Sequence, residues 1–187
     1  MKFPAVRPIL VLPLLAASLL RPCAAPEPPT DFSVQSPVDQ SVFRLSDARG
    51  QFVVLHFLLK TECPYCLRHT REYLRRAAEL PQVQQVFLKP DSDQEILKWI
   101  QSAGTEPGKT PPIYRDPDAR LAEAYGIPGG YSFHGEKVHY PALILLDTKG
   151  GEVFRHVGKD NSDRYGFDAL AARIAALKAA PPRKPAP

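Results

Sequence analysis

Residues 51–66 read QFVVLHFLLKTECPYC, and this stretch decides the fold. Its first part, residues 51–59, is a nearly continuous apolar run of β-branched and aromatic side chains, typical of a strand buried on both faces of a sheet. Pro64 suits the first turn of a helix, where its missing N–H has no partner to lose. The stretch therefore predicts a buried strand that leads through Cys63 and Cys66 into a helix reaching about residue 80.

The spacing of the two cysteines indicates redox chemistry. A helix N-terminus presents unpaired N–H groups and partial positive charge, which stabilise the nucleophilic thiolate form of a cysteine. Cys66 lies one turn further along, within reach of a mixed disulfide formed at Cys63. We therefore predict Cys63 as the attacking sulfur and Cys66 as the resolving sulfur. Arg68 and His69 are expected to add positive potential, whereas the carboxylate of Glu62 opposes it.

Other interpretations of the pair remain open at this point. An exported protein can carry an inert structural disulfide. Cys63, Cys66 and His69 offer three metal ligands, although zinc requires a fourth and none is spaced for it. Covalent haem attachment is excluded, because Leu67 stands where that motif needs a histidine. His56, inside the predicted buried strand, is expected to be a core histidine with a hydrogen-bond partner.

The rest of the chain alternates between strand and helix patterns. Two short apolar alternations within residues 31–45 predict an N-terminal β-hairpin. In the helix after the cysteines the predicted apolar face consists of Leu67, Leu74, Ala77 and Ala78. The later predicted elements begin with a strand at 83–88, a helix after the Ser92–Glu95 capping box, and a helix that Asp116-Pro117 opens and Gly126 follows. They continue with an irregular segment at 127–140, paired strands at 142–146 and 152–157, and a helix at 167–180. This order predicts one α/β domain over residues 31–180, with a mixed central sheet flanked by helices.

The N-terminus has the layout of a secretory signal. Lys2 and Arg7 precede an uncharged apolar run at residues 9–20, and small residues follow at 23–25. An apolar run of that length, at about 1.5 Å per residue, is too short to cross a hydrocarbon core of about 30 Å. We predict a signal peptide at residues 1–25 and an exported protein, periplasmic or secreted. Cys23 leaves open a lipid anchor to the membrane.

Composition limits the domain and its partners. Residues 26–30 and 181–187 are Pro-rich, so they are predicted to be a spacer and a disordered tail. The formal charge of +4 comes mostly from the N-terminal region, since residues 26–187 carry 21 basic and 20 acidic side chains. This balance argues against a nucleic-acid partner. No Gly-rich nucleotide-binding motif is present, so no cofactor is expected.

Four segments carry a resemblance: VVLHFLLKTECPYCLRHTREYL, PIYRDPDARLAEAYGIPG, YPALILLDTKGGEVFRHVG and GKDNSD before the last helix. Together they resemble the thioredoxin-fold redoxin group, which comprises TlpA-like and AhpC/TSA thiol–disulfide oxidoreductases, and the resemblance covers about residues 31–178. It implies a thioredoxin-like fold with Cys63 and Cys66 as catalytic residues. It also implies that Pro141 is cis and faces the cysteines, and that the backbone beside it pairs with a substrate. The implied supporting residues are Thr61, Pro64, Tyr65, Tyr140 and Pro141.

The resemblance implies an exported thiol–disulfide oxidoreductase, most simply a reductase of protein disulfides. Its partners would be protein dithiols or disulfides and a membrane or soluble thiol electron donor. The alternative is a peroxidase of the peroxiredoxin type. The Pro-x-x-x-Thr-x-x-Cys motif of that class is broken, because His56 and Lys60 stand at the proline and threonine positions and Thr61 comes one place late. A third hypothesis is a metallochaperone that uses both cysteines and a histidine.

Overall fold

A sheet of seven strands organises the protein, whose computed structural model describes residues 29–60, 63–103 and 110–179. The strands are β1 (Ser33–Gln35), β2 (Val42–Arg44), β3 (Phe52–Phe57), β4 (Val83–Lys89), β5 (Ile113–Arg115), β6 (Tyr131–Phe133), β7 (Glu136–Val138), β8 (Ala142–Leu146) and β9 (Glu152–Val157). The helices are α1 (Pro64–Arg75), α2 (Asp93–Ala103), α3 (Arg120–Ala124) and α4 (Phe167–Ala179). Short 3₁₀ turns lie at Leu45–Ala48, Ala77–Glu79 and Pro117–Ala119.

The sheet is mixed, and its order is β2-β1-β5-β4-β3-β8-β9. β3 pairs in parallel with β4 and antiparallel with β8, which confirms the predicted mixed sheet. All residues of β3 after Phe52 are buried, because neighbouring strands and packed layers cover this strand on every side. The N-terminal hairpin is also confirmed, since β1 and β2 pair antiparallel and Gln35 joins them to the sheet opposite Arg115.

Two hydrophobic clusters fill the two faces of the sheet. Side chains alternate along a strand, so Val53 and Leu55 enter one cluster while Val54 enters the other. The cluster around Val54 also contains both cysteines and buried side chains of α2 and α4. The cluster around Leu55 contains side chains of the N-terminal hairpin and α3. The cysteine pair therefore belongs to the core and is not attached to its surface.

The buried face of α1 differs from the predicted one. The helix buries Cys66, His69, Thr70 and Tyr73, whereas Leu67 and Leu74 are only partly buried. The prediction followed the leucines, but the polar His69 enters the core because it has a hydrogen-bond partner there, His56. The helix also ends earlier than expected, at Arg75, and continues as a 3₁₀ turn.

The segment at 116–126 is more broken than the predicted single helix. Asp118 and Ala119 adopt positive φ angles of 56° and 55°, which interrupt the helix before α3 begins. The Asp116 carboxylate accepts N–H groups of Leu121 and Ala122 at 2.8 and 3.1 Å. This side chain caps α3 across the interruption, so the Asp-Pro signal marks a cap but not a continuous helix.

Strands β5, β6 and β7 were not predicted. Each has three residues. β6 and β7 pair with each other in a separate two-stranded sheet, inside the segment expected to be irregular. The predicted capping box is confirmed, since the Ser92 N–H donates to Glu95 at 2.9 Å and the Glu95 N–H donates to Ser92 Oγ at 3.4 Å.

Removing a side chain from the centre of the sheet should be costly. Ile144 in β8 is fully buried, so Ile144→Ala should lower the free energy of unfolding by about 2–5 kcal/mol through lost contacts and a cavity. Val42 lies on the edge strand and is 48% exposed, so Val42→Ala should cost less than about 1 kcal/mol. Denaturant unfolding measures both values. Equal losses in the two variants would contradict this placement of the core.

Candidate active site

The two cysteines lie where β3 passes into α1. Cys63 is the N-cap residue of α1, and its Sγ accepts the N–H of Cys66 at 3.2 Å. Both are free thiols, with exposures of 1% for Cys63 and 0% for Cys66. The helix N-terminus therefore directs a backbone donor at Cys63 Sγ, as the sequence predicts. The depth of burial was not predicted.

Arg164 completes the site from a distant part of the chain. It lies in the loop between β9 and α4, and its Nη2 donates to Cys63 Sγ at 3.4 Å and to Cys66 Sγ at 3.1 Å. Sequence analysis missed this residue: residues 158–163 (GKDNSD) belong to the resemblance, but no motif there assigns a role to the arginine that follows them. One guanidinium group thus contacts both reactive sulfur atoms.

A buried ion pair stabilises the backbone of Leu59, which contacts Cys66. The Leu59 N–H donates to Cys66 Sγ at 3.3 Å, and the Leu59 carbonyl accepts Lys89 Nζ at 2.8 Å. Lys89 lies 3.1 Å from the Asp91 carboxylate, and both side chains are fully buried. Its ammonium group also lies 4.5 Å from the centre of the Trp99 ring. The backbone that holds Cys66 is therefore fixed at both its N–H and its carbonyl.

These contacts shift the pKa values of the two cysteines in opposite directions. Hydrogen bonds from the Cys66 thiol and N–H, together with the Arg164 charge, lower the pKa of Cys63 to about 6, although its burial acts in the opposite direction. Burial raises the pKa of Cys66 well above the usual thiol value, and the hydrogen bond to Cys63 acts in the same direction. Cys63 is therefore the sulfur that ionises near neutral pH, which matches its predicted role as the nucleophile.

A pair of buried histidines packs behind α1. His56 Nδ1 lies 2.9 Å from His69 Nε2, and His56 Nε2 lies 2.8 Å from Gln85 Oε1. Because the Gln85 oxygen can only accept, His56 donates through Nε2 and receives the His69 N–H at Nδ1. Burial lowers the pKa of His56 to about 3 and that of His69 well below its ordinary value. Both rings are neutral, and His56 is the satisfied core histidine that the sequence predicts.

The hairpin formed by β6 and β7 connects to both segments that form the site. Glu136 in β7 forms an ion pair with Lys60, whose carbonyl accepts the N–H of Cys63 at 3.1 Å. The Tyr131 hydroxyl in β6 accepts the N–H of Asn161 at 3.0 Å, in the loop that carries Arg164. The hairpin thus bridges the approach to Cys63 and the Arg164 loop.

The predicted supporting residues have mixed outcomes. Pro64 is the first residue of α1 and is exposed, and the half-buried Tyr65 ring lies 5.0 Å below the Arg68 guanidinium. Thr61 lies outside the described residues. Tyr140 and Pro141 lead into β8 as expected.

The prediction of a cis bond before Pro141 is wrong. The described residues contain no cis peptide bond, and the trans form is the intrinsically favoured one even before proline. The Tyr140 N–H already donates to the Pro128 carbonyl at 2.9 Å, and the Pro141 carbonyl accepts the Gly158 N–H at 2.8 Å. These backbone groups are therefore engaged within the protein, whereas the resemblance implies that this backbone pairs with a substrate.

Neither a metal site nor a membrane span is found in the part of the chain that the structure describes. No group of three or more His, Cys, Asp or Glu side chains there is arranged to hold a metal ion. His69, the proposed third ligand, directs its Nε2 to His56. None of the described helices combines the length and the apolar composition that a bilayer span requires.

The ionisation of Cys63 provides a direct check of the site. In a Cys23→Ser background, the ultraviolet absorbance of thiolate should rise with a midpoint near pH 6. Cys63→Ser should remove this transition, and Arg164→Met should move it to higher pH because the neighbouring positive charge is lost. A midpoint at the ordinary thiol value of about 8.5 in the unsubstituted site would contradict the geometry.

The histidine pair should make stability depend on pH. The folded protein keeps His56 neutral down to about pH 3, whereas the unfolded chain binds a proton below about 6.5. Stability is therefore lost as pH falls through this window, by about 1.4 kcal/mol per pH unit for each histidine held neutral.

Unfolding at several pH values from about 6.5 to 5, above the range in which carboxylates titrate, measures this slope. The double variant His56→Leu with His69→Leu should reduce it, whatever its absolute stability, while His139, whose pKa burial also lowers, keeps its own contribution. The exposed His134 provides the control, since His134→Gln should leave the slope unchanged. An equal slope in the double variant and the parent protein would show that the pair is not held neutral.

Known proteins share this architecture. The structure resembles that of a putative thiol:disulfide interchange protein DsbE from Chlorobium tepidum at 22% identity and a TM-score of 0.58, covering 83% of this chain and 96% of that one. It also resembles the peroxidoxin BcpB from Mycobacterium tuberculosis, at 19% identity and a TM-score of 0.60 over 80% and 92% of the two chains. A secreted disulfide oxidoreductase of the same organism matches at 19% identity and a TM-score of 0.57 over 78% and 96%.

These likenesses establish a thioredoxin-like fold, which confirms the fold predicted from the sequence. No curated protein matches the chain. The family model described as the AhpC/TSA family matches residues 26–153, more than half of the chain. The chain therefore belongs to the AhpC/TSA family.

Proposed function

We propose that this protein is an exported thiol–disulfide oxidoreductase that exchanges a Cys63–Cys66 dithiol or disulfide with cysteines of partner proteins. The observation that carries the proposal is the pair of adjacent thiols at the start of α1, each in contact with the Arg164 guanidinium. Among the family's chemistries, exchange within a pair of neighbouring cysteines uses both sulfurs and the donors directed at them.

The two cysteines take different roles in the reaction. The Cys63 thiolate attacks a sulfur of the partner disulfide, forms a mixed disulfide and releases the other partner sulfur as a thiolate. Cys66 then attacks Cys63 Sγ, which closes the Cys63–Cys66 bond and releases the partner in reduced form. The same steps run backwards when the partner is oxidised. Cys66 acts second because its raised pKa keeps it protonated until the mixed disulfide has formed.

Burial of the nucleophile limits how a partner reaches it. Cys63 is only 1% exposed, so a partner cysteine makes contact only after the surface around the site opens. Pro64 and Tyr65 present exposed and half-buried surface directly beside Cys63, and we propose that they contact the partner. Thr61 keeps the supporting role that the resemblance implies, whereas Tyr140 and Pro141 are not proposed to pair with a substrate, because their backbone groups are bonded within the protein.

A peroxidase is the second candidate function, and one observation favours it. Arg164 places a cation 3.4 Å from Cys63 Sγ, although the sequence has no arginine beside Pro141. Such a cation stabilises a thiolate that attacks peroxide as well as one that attacks a disulfide. The proline and threonine positions of the peroxidase motif are nevertheless occupied by the fully buried His56 and by Lys60. We therefore rank disulfide exchange first.

Export is proposed from the sequence of the N-terminal region, which lies outside the described residues. The lipid anchor at Cys23 is proposed from the same part of the sequence. An oxidising location outside the cytoplasm suits a protein whose cysteines exchange disulfides. Protein thiols and disulfides are the proposed partners, with a membrane or soluble thiol compound as the electron donor.

A competition between two oxidants tests the proposed reaction. The reduced protein is mixed with the same large excess of a small protein disulfide or of hydrogen peroxide, and the initial rate of loss of the Cys63 thiol is followed by rapid alkylation and mass spectrometry. We expect the disulfide to oxidise Cys63 at least about tenfold faster. Cys66→Ser should accumulate the mixed disulfide because no resolving sulfur remains, and Cys63→Ser should form none. Faster oxidation by peroxide, with a sulfenic acid trapped in Cys66→Ser, would replace this proposal by the peroxidase.

A further inference from the structure

Arg164 is held in position before any reaction takes place. In its loop the Asp160 carboxylate accepts the N–H groups of Ser162 at 2.8 Å and Asp163 at 3.1 Å. The Asp163 carboxylate accepts the Lys159 N–H at 3.0 Å and lies 3.1 Å from a ring nitrogen of His156 in β9. These bonds within the loop, and the bond from Asn161 to Tyr131, fix the backbone that carries the guanidinium.

Hydrogen-bond donors and positive charge reach both sulfurs, although burial opposes ionisation of Cys66. Cys63 Sγ receives N–H groups from Cys66 and Arg164, and Cys66 Sγ receives them from Leu59 and Arg164. The positive charge of Lys89 also reaches Cys66 and lowers its pKa, though less than burial raises it. A disulfide carries no charge, so these donors interact more strongly with a thiolate than with the oxidised pair.

We infer that the Arg164 contacts stabilise the reduced pair relative to the disulfide and make this protein an oxidant, which passes its disulfide to dithiols of partner proteins. The inference rests on the proposed function and assigns the direction of exchange. It reverses the direction that the sequence alone suggests, a reductase. A couple whose reduced form is stabilised holds its disulfide less tightly and gives it up more readily.

The reaction balances between the two proteins. A partner thiolate attacks Cys63 Sγ, the Cys63–Cys66 bond breaks, and Cys66 leaves as a thiolate 3.1 Å from the Arg164 donor. The second partner thiolate attacks the partner sulfur of the mixed disulfide, and Cys63 leaves as a thiolate stabilised by the same guanidinium. Two electrons move from the partner to this protein, the partner gains a disulfide, and the two protons of its thiols are released or taken up by the cysteine pair.

Contact with both sulfurs explains why one residue serves both steps. Cys66 is fully buried and its pKa is raised, so it is a poor leaving group unless a cation accompanies it. Arg164 lies closer to Cys66 than to Cys63 and supplies that charge. Arg164 is therefore assigned as a catalytic residue that acts on each departing sulfur.

Equilibration with glutathione tests the inference. The full chain with Cys23→Ser is incubated at neutral pH in buffers of varied reduced and oxidised glutathione, quenched with acid and alkylated, and the oxidised fraction of the pair is measured. Arg164→Met should increase the equilibrium constant for forming the Cys63–Cys66 disulfide at least about tenfold, equivalent to about 30 mV towards a more reducing couple. Arg164→Lys keeps the charge and should lie between the two.

Arg155 provides the matched control. It lies in β9, just before the Arg164 loop, and pairs with Glu152. Arg155→Met removes the same charge without removing a donor to sulfur, so its constant should stay within about threefold of the parent value. A shift as large in Arg155→Met as in Arg164→Met, or no shift in Arg164→Met, would overturn the inference.

Direct transfer tests the assigned direction. The oxidised protein is mixed with an equimolar reduced peptide that contains two cysteines, and the disulfides of both are measured at equilibrium. We expect the peptide to be mostly oxidised with the parent protein and several-fold less oxidised with Arg164→Met. A parent protein that stays oxidised beside the reduced peptide would refute the direction. Failure of the pair to form a disulfide in any glutathione buffer would instead refute the proposed function itself.

Discussion

The structure depends on supplying hydrogen-bond donors to two sulfur atoms that are buried from water. Each donor comes from a different part of the fold: the end of β3 through Leu59, the first turn of α1 through Cys66, and the β9–α4 loop through Arg164. β3 lies in the centre of the sheet, between β4 and β8, and these segments meet at its C-terminal end. A buried polar group without partners costs free energy, so the segments that pack around the two cysteines must also supply donors to their sulfurs.

Burial also gives the site a low effective dielectric, in which a single guanidinium has a large influence. Lys89 and Asp91 form a charged pair in the same low-dielectric interior. Both side chains are fully buried, and the ammonium group also binds the Leu59 carbonyl. Removal of one partner from such a pair typically costs about 3–5 kcal/mol because the other charge is left alone. The ion pair therefore ties the position of the Cys66 donor to the integrity of the core.

Local patterns predicted the parts of the site that are contiguous in sequence. The apolar run before Cys63, the proline at the start of α1 and the one-turn spacing to Cys66 all correspond to the observed β3–α1 junction. The contact between Arg164 and Cys66 joins residues 98 positions apart, and no periodicity in a single sequence reports such a pairing. The buried face of α1 was mispredicted for a related reason. His69 enters the core only because His56 lies opposite it, and that partner is set by tertiary structure.

The β6–β7 hairpin is joined to the rest of the domain by side chains and not by strand pairing. Among the described residues its two strands pair only with each other, so the register of the seven-stranded sheet does not depend on them. The hairpin follows Gly129 and Gly130 and turns at His134 and Gly135, both of which have positive φ angles. Phe133 at the end of β6 is buried in the hydrophobic cluster that contains both cysteines. A change in this hairpin would therefore alter the surroundings of the cysteines through side-chain packing, while the backbone pairing of the seven-stranded sheet stays the same.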